Sequence, residues 1–259
     1  MPDGTGIIDA HLHIVDPRFP LVRNAGFLPE PFTCRDYLSA VRPVGVSGGV
    51  VVSGSFQAFD QTYLLDALAT LGPSFVGVTQ LPVESSDEEI AALDGAGVRA
   101  VRFNLRRGGS AGLSDIDSLG HRVFAVAGWH SEFYVRNADL AGLYPVLARL
   151  PKISIDHLGL SSDGLDVLLR LVDGGARVKA TGFGRGDLDI PTVISRIHSV
   201  NPGALMFGTD LPGTRAPRPF SASDIDLVRA TLGHDEVAKV LHDNAVALYW
   251  GADTPADRI

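Results

Sequence analysis

The sequence predicts an α/β protein folded as a single-domain (β/α)8, or TIM, barrel over residues 1–259. Three observations carry that expectation. Short, near-continuously apolar runs alternate eight times with segments of helical spacing, the pattern of parallel strands covered on both faces. No shift in composition divides the chain, and its length suits one barrel. Polar and titratable residues fall just after the carboxyl end of nearly every apolar run. A doubly wound open sheet is the rival architecture, but no Gly-x-Gly-x-x-Gly follows the first run.

The elements follow in order. Gly6 to His13 opens as an apolar strand ending in His11-Leu12-His13, and Asp16 to Pro31, rich in Pro and Arg, reads as a long loop. Thr33 caps a short helix to about Arg42. Gly45 to Ser53 is a β-branched strand, followed by helical spacing at Tyr63, Leu64, Ala67, Leu68 and Leu71 that stops at Gly72-Pro73. Phe75 to Leu81 is a strand, and Ser85 to Ala96 a helix with acids in its first turn. Strands at 98–103, 131–135, 152–155, 176–181 and 204–208 alternate with helices near 115–127, 139–150, 164–173 and 191–200, then 221–232 and 235–249.

Composition narrows the class of function. Hydrophobic residues make up 45% and charged residues 20%, as in ordinary globular proteins, so a packed core is expected. A net charge of −8 argues against nucleic acid or an anionic membrane as partner and leaves a small molecule. The single cysteine, Cys34, excludes an internal disulfide, and no apolar run is long enough to span a bilayer. Met1-Pro2-Asp3-Gly4 lacks the features of a signal peptide, so the expected location is cytoplasmic.

Barrel active sites lie at the carboxyl-terminal rim. There the strand ends would gather His11, His13, Ser53, Gln80, Arg102, Asn104, Glu132, Tyr134, His157, Lys179, Arg185 and Asp210. His11 and His13, one residue apart on a strand, share a face. Together with His157 and Asp210 they match a divalent metal with open positions, where bound water is acidified. They also match a metal-free site in which imidazoles polarise a carbonyl while Asp210 takes a proton from water. His121, His198, His234 and His242 fall on helices, and His130 precedes its strand; these are read as structural.

The stretches Asp9-Ala10-His11-Leu12-His13, Gly97 to Asn104, Asp156-His157-Leu158-Gly159, Val178 to Gly182 and Phe207 to Pro212 together resemble the amidohydrolase superfamily. More narrowly, they are similar to its lactonase-rich branch, which includes the 2-pyrone-4,6-dicarboxylate lactonases. Members with two metals carry a bridging lysine on the fourth strand and a histidine ending the fifth. Arg102 and Tyr134 stand near those positions here, so the resemblance implies one divalent metal, zinc, or none. It further implies that Arg102 and Arg185 grip a substrate carboxylate and that Ser53 and Tyr134 offer hydrogen bonds. Arg106 and Arg107 approximate a further arginine expected after the fourth strand, and Arg215 and Arg218 would add charge.

The expected function is a hydrolase that opens a lactone or related cyclic ester of a small carboxylated metabolite. Asp210 would be the general base, and His11, His13 and His157 would polarise the carbonyl or, with Asp210, hold one metal. A metal-dependent decarboxylase of an aromatic or muconate-type acid is the alternative enzyme; a non-catalytic barrel binding an acidic metabolite is the alternative without chemistry. The expected partner is a small anionic substrate, and a homo-oligomer is left open.

Overall fold

The computed structural model describes residues 6–251, so the reading of Met1 to Gly4 and the outer ends of the single-domain span lie outside it. Eight strands pair in sequence order, each parallel to the next: β1 (Ile7–Leu12), β2 (Val46–Val52), β3 (Phe75–Thr79), β4 (Val98–Asn104), β5 (His130–Tyr134), β6 (Ile153–Ile155), β7 (Arg177–Ala180) and β8 (Leu205–Phe207). The connections are helical: α1 (Cys34–Val41), α2 (Thr62–Leu71), α3 (Asp87–Gly95), α4 (Ile116–Ala127), α5 (Leu140–Leu147), α6 (Leu165–Asp173) and α7 (Ile190–Val200). After β8 come α8 (Ala222–Leu232), α9 (His234–Ala238) and α10 (Asn244–Tyr249). This is the expected (β/α)8 barrel. Among the described residues, no helix is long and apolar enough to cross a membrane.

Local sequence explains several boundaries. Thr33 and Ser86 each close a capping box, with Asp36 and Glu89 as the reciprocal partners. Helix α3 therefore begins after Ser86 rather than at Ser85. The single helix expected over 235–249 is instead α9, a π-helical turn at Lys239–Asp243, and α10. Strand β5 starts at His130, one residue before the expected Ser131.

The barrel closes between β1 and β8 without a regular ladder. Asp210 N donates to His11 O at 2.8 Å and His13 N to Leu211 O at 2.8 Å. Buried Asp9 ties the seam from the helix side. Its carboxylate accepts from Thr209 N (2.8 Å), Thr209 Oγ1 (2.6 Å), His11 N (3.1 Å) and the Tyr37 hydroxyl of α1 (3.0 Å). Gly208 makes the close approach possible, because a Cβ there would sit 2.8 Å from His11 N.

Two apolar clusters divide the core. Residues such as Leu12, Val51, Val101, Phe133 and Phe207 pack under the helices, whereas Ile8, Ala10, Val50, Val52, Ala100 and Met206 fill the barrel floor, plugged by Ala245, Val246 and Tyr249. His130 belongs to that floor. Its ring stands edge-on to Tyr249 with centroids 5.1 Å apart, and its Nε2 has no hydrogen-bond partner.

Burial holds the His130 imidazole down to about 3, so it is neutral when folded but takes a proton near pH 6.5 when unfolded. Between those values the unfolded chain binds more protons, and stability falls as pH falls. Replacing His130 by Phe is therefore expected to flatten the slope of unfolding free energy between pH 6.5 and 3. The reduction approaches one proton, about 1.4 kcal/mol per pH unit, and urea melts at several pH values measure it.

Candidate active site

The pair His11 and His13 reaches the barrel interior because β1 carries a bulge. Asp9 pairs with Gly49 but Leu12 with Val51, so β1 spends one extra residue between them. Ile8 and Ala10 face the floor before it; after it the histidine rings turn inward and Leu12 turns to the helices. Without that residue the alternation would send both histidines under the helix layer.

His157 and Asp210 arrive by turns. His157 follows β6 with φ 52° and ψ 41°, and Asp210 follows β8 with φ 59°, both in the left-handed region. Such a conformation costs a non-glycine residue roughly 1–2 kcal/mol. The turn at His157 is stapled by buried Asn137, whose Nδ2 donates to Leu158 O (3.1 Å) and Ser161 O (2.8 Å). Gly159 is required there: its φ is +73°, and a Cβ would collide with the Asn137 amide.

The four expected groups meet. The His11 ring stands 4.9 Å from that of His13 and 4.8 Å from that of His157, centroid to centroid. Asp210 Oδ1 lies 4.0 Å from His11 Nε2 and 3.8 Å from His13 Nε2. The other carboxylate oxygen, Oδ2, accepts from Arg185 Nε at 2.5 Å, and Arg185 Nη2 donates to Thr214 O at 2.8 Å. Burial, only partly offset by Arg185, raises Asp210 to about 6. Burial also lowers the imidazoles, His11 to about 3 and His13 and His157 well below the ordinary histidine value, so all three are neutral near pH 7.

Below them is a layer of charge with no access to water. Arg102 donates to Asp156 Oδ2 through Nε (3.2 Å) and Nη2 (2.7 Å), and through Nη1 to Ser53 O (2.8 Å). Lys179 Nζ lies 2.5 Å from Glu132 Oε2 and 3.9 Å from Asp156 Oδ1. Tyr249 OH donates to Glu132 Oε2 at 3.3 Å. Two basic side chains and two carboxyl groups thus interlock inside the barrel. Burial opposes ionisation of Asp156, yet Arg102 beside it, then His11 and Lys179, hold its carboxyl well below the usual carboxylate range. Burial together with Asp156 pushes Glu132 up to about 7, against the pull of Lys179 and Arg102.

Above the histidines opens a narrow cleft, lined by His13, Arg102, Asn104, Tyr134, His157, Arg185 and Arg215, with Arg107, Phe27 and Phe56 also on its walls. Its lining includes four arginines and no acid. Tyr134 sets its ring edge-on to His157, centroids 5.1 Å apart. Ser53 does not reach this space: its hydroxyl bonds the Tyr63 hydroxyl of α2 at 2.7 Å, on the helix side of the sheet. Arg218 pairs with Asp224 at 2.6 Å and is not among the lining residues. Phe27 shows where the long first loop goes. That loop turns at Asn24 to Phe27 and lays the phenyl ring against the cleft, where Arg215 sits 4.4 Å over it.

Whether these groups suit a metal ion follows from their lone pairs. One nitrogen each from His11 and His157 and one oxygen of Asp210 lie within 4.8 Å of one another. His11 Nε2, His157 Nδ1 and Asp210 Oδ1 are buried without a hydrogen-bond partner. His13 Nδ1 is 2.7 Å from Val52 O, an acceptor only, so its proton is on Nδ1 and its Nε2 lone pair turns toward Asp210. Buried nitrogen and oxygen atoms without partners, on side chains this close together, are what a divalent cation satisfies, and the residues fit one. A second group, His11, Glu132 and Asp156, is as tightly clustered, but the ammonium of Lys179 already stands among its members.

The amidohydrolase family model matches residues 8–250. The chain belongs to the amidohydrolase family. It is 26% identical to a 2-pyrone-4,6-dicarboxylate hydrolase of Comamonas testosteroni over 95% of this chain and 90% of that one. It is 25% identical to a D-galactarolactone isomerase of Agrobacterium fabrum over 94% and 91% of the two chains. A crystal structure from Agrobacterium tumefaciens, 20% identical, superposes with a TM-score of 0.82 over 95% of this chain and 96% of that one, a likeness of fold.

The family thus agrees with the resemblance read from the strand-end motifs, and the chain is an enzyme of the amidohydrolase family. Sequence reasoning gave no role to Asp156, Glu132, Lys179 or Tyr249. Inward alternation on β4, β5 and β7 does place Arg102, Glu132 and Lys179 on one face, but no local pattern announces that they pair.

Proposed function

We propose that this amidohydrolase opens a lactone or related cyclic ester of a small carboxylated compound by attack of water on the ring carbonyl. The observation that carries the reading is the divided carboxylate of Asp210: Arg185 occupies Oδ2, while Oδ1 faces the imidazoles with no partner. A base held near 6 is ionised at neutral pH yet close enough to accept a proton during attack. Arg185 orients the carboxylate, and water gives its proton to Oδ1. His11, His13, His157 and Asp210 would hold the divalent ion, with zinc the expected metal from the nitrogen and oxygen donors. When bound, that ion supplies Lewis acidity to the carbonyl.

Arg107 and Arg215, the two cleft arginines with no carboxylate partner among the described residues, support an anionic substrate in a chain whose net charge is −8. The names of the two relatives support a carboxylated lactone as its chemical class. The test is a panel of lactones, each offered as the free acid and as its methyl ester. The free acids are expected to turn over with kcat/KM at least tenfold higher. Equal rates on both forms would sink the assignment of the arginine wall to carboxylate recognition.

A further inference from the structure

The two nitrogens of His11 face different worlds. Nε2 looks into the reaction space toward Asp210. Nδ1 looks down into the charged layer, where Asp156 Oδ1 is 3.3 Å away, Lys179 Nζ 3.4 Å and Glu132 Oε1 3.9 Å. A neutral imidazole carries one proton, and whichever partner wins Nδ1 decides what Nε2 offers. If Lys179 donates to Nδ1, the proton sits on Nε2 and His11 presents a donor. If Nδ1 donates to Asp156, Nε2 presents a lone pair.

The surroundings favour the second arrangement. Two carboxylate oxygens and one ammonium face Nδ1, and a proton there is attracted by two of the three. Lys179 is drawn toward Glu132, at 2.5 Å, although its ammonium keeps further N–H donors and reaches Nδ1 at 3.4 Å as the competitor. Asp156 Oδ1 is buried with no hydrogen-bond partner, because Arg102 takes only Oδ2. A proton on Nδ1 sets a donor 3.3 Å from that oxygen, which a small turn of the ring brings into line; with the proton on Nε2 the nearest donor to it is Lys179 Nζ, at 3.9 Å.

We infer that Asp156 is a positioning residue that keeps the proton of His11 on Nδ1, so that both His11 and His13 turn Nε2 lone pairs toward Asp210 and a metal ion. Arg102 holds the Asp156 carboxylate in place for this purpose, and Lys179 is the competing partner that sets how firmly the proton is kept. The consequence for metal binding rests on the hydrolase reading of the rim, but the proton's position is a property of the resting protein and is measured without substrate.

Two measurements test it. Long-range proton–nitrogen spectra of metal-free, imidazole-labelled protein, with His11 assigned by loss of its signals in His11→Gln, are expected to show a protonated, pyrrole-type Nδ1 and a pyridine-type Nε2. The reverse pattern overturns the proposal. Titration of zinc against a chromophoric chelator is expected to give an affinity 10–100-fold weaker in Asp156→Asn than in the parent, and unchanged or tighter in Lys179→Met. Parent-like affinity in Asp156→Asn, with the native circular dichroism retained, also overturns it. The spectra need no variant at position 156 and so decide the question even if Asp156→Asn fails to fold. A lactone panel that shows no turnover would instead remove the hydrolase reading and leave the position of the proton standing.

Discussion

Asp210→Asn is expected to lower kcat for lactone opening by about 10²–10⁴-fold, the usual worth of a positioned general base. The amide keeps the size of the carboxylate and can still accept from Arg185 Nε, which now takes Oδ2 at 2.5 Å. What it cannot do is take a proton from water at the oxygen that faces His11 and His13. The cleft wall above Asp210 is untouched by the change, so KM should move by only a few-fold. Stopped assays on parent and variant, with circular dichroism to show the fold is intact, read both quantities. A kcat within tenfold of the parent would remove Asp210 from the role of base.

Arg102→Met is expected to destabilise the fold by about 3–5 kcal/mol, because it removes one partner of the buried ion pair with Asp156. Asp156 would lose both guanidinium hydrogen bonds, and the Ser53 carbonyl would lose its donor. For a chain of this size that corresponds to a fall in Tm on the order of 10 °C. The prediction separates two views of the residue. Resemblance gives Arg102 a grip on the substrate carboxylate, and it does line the cleft. Yet its side chain is only 3% exposed, and its Nε, Nη1 and Nη2 all have partners within the protein. If the variant melted like the parent and only KM rose, the guanidinium would belong to the substrate and not to Asp156.

Much of this architecture was legible before any coordinates. Parallel strands buried on both faces read as apolar runs, and capping residues such as Thr33 and Ser86 mark helix starts, because both depend on local chemistry. The four rim groups were legible for the same reason: each ends an apolar run. Three features were not. The bulge at Ala10-His11 depends on the register of β1 against β2, which no single segment encodes. The pairing of Arg102 with Asp156 spans 54 residues of chain, and residue type alone left that arginine as free for substrate as for a buried partner. Ser53, one residue past the last inward valine of β2, points to the helices, a phase that a strand end read without its register does not give.

The account turns on water attacking a ring carbonyl, and isotope tracing observes that step directly. Turnover of a carboxylated lactone in water enriched in ¹⁸O is expected to place one labelled atom in the newly formed carboxylate, with no release of carbon dioxide. Product formed without label, as an isomerisation would give, or product accompanied by carbon dioxide, would contradict it.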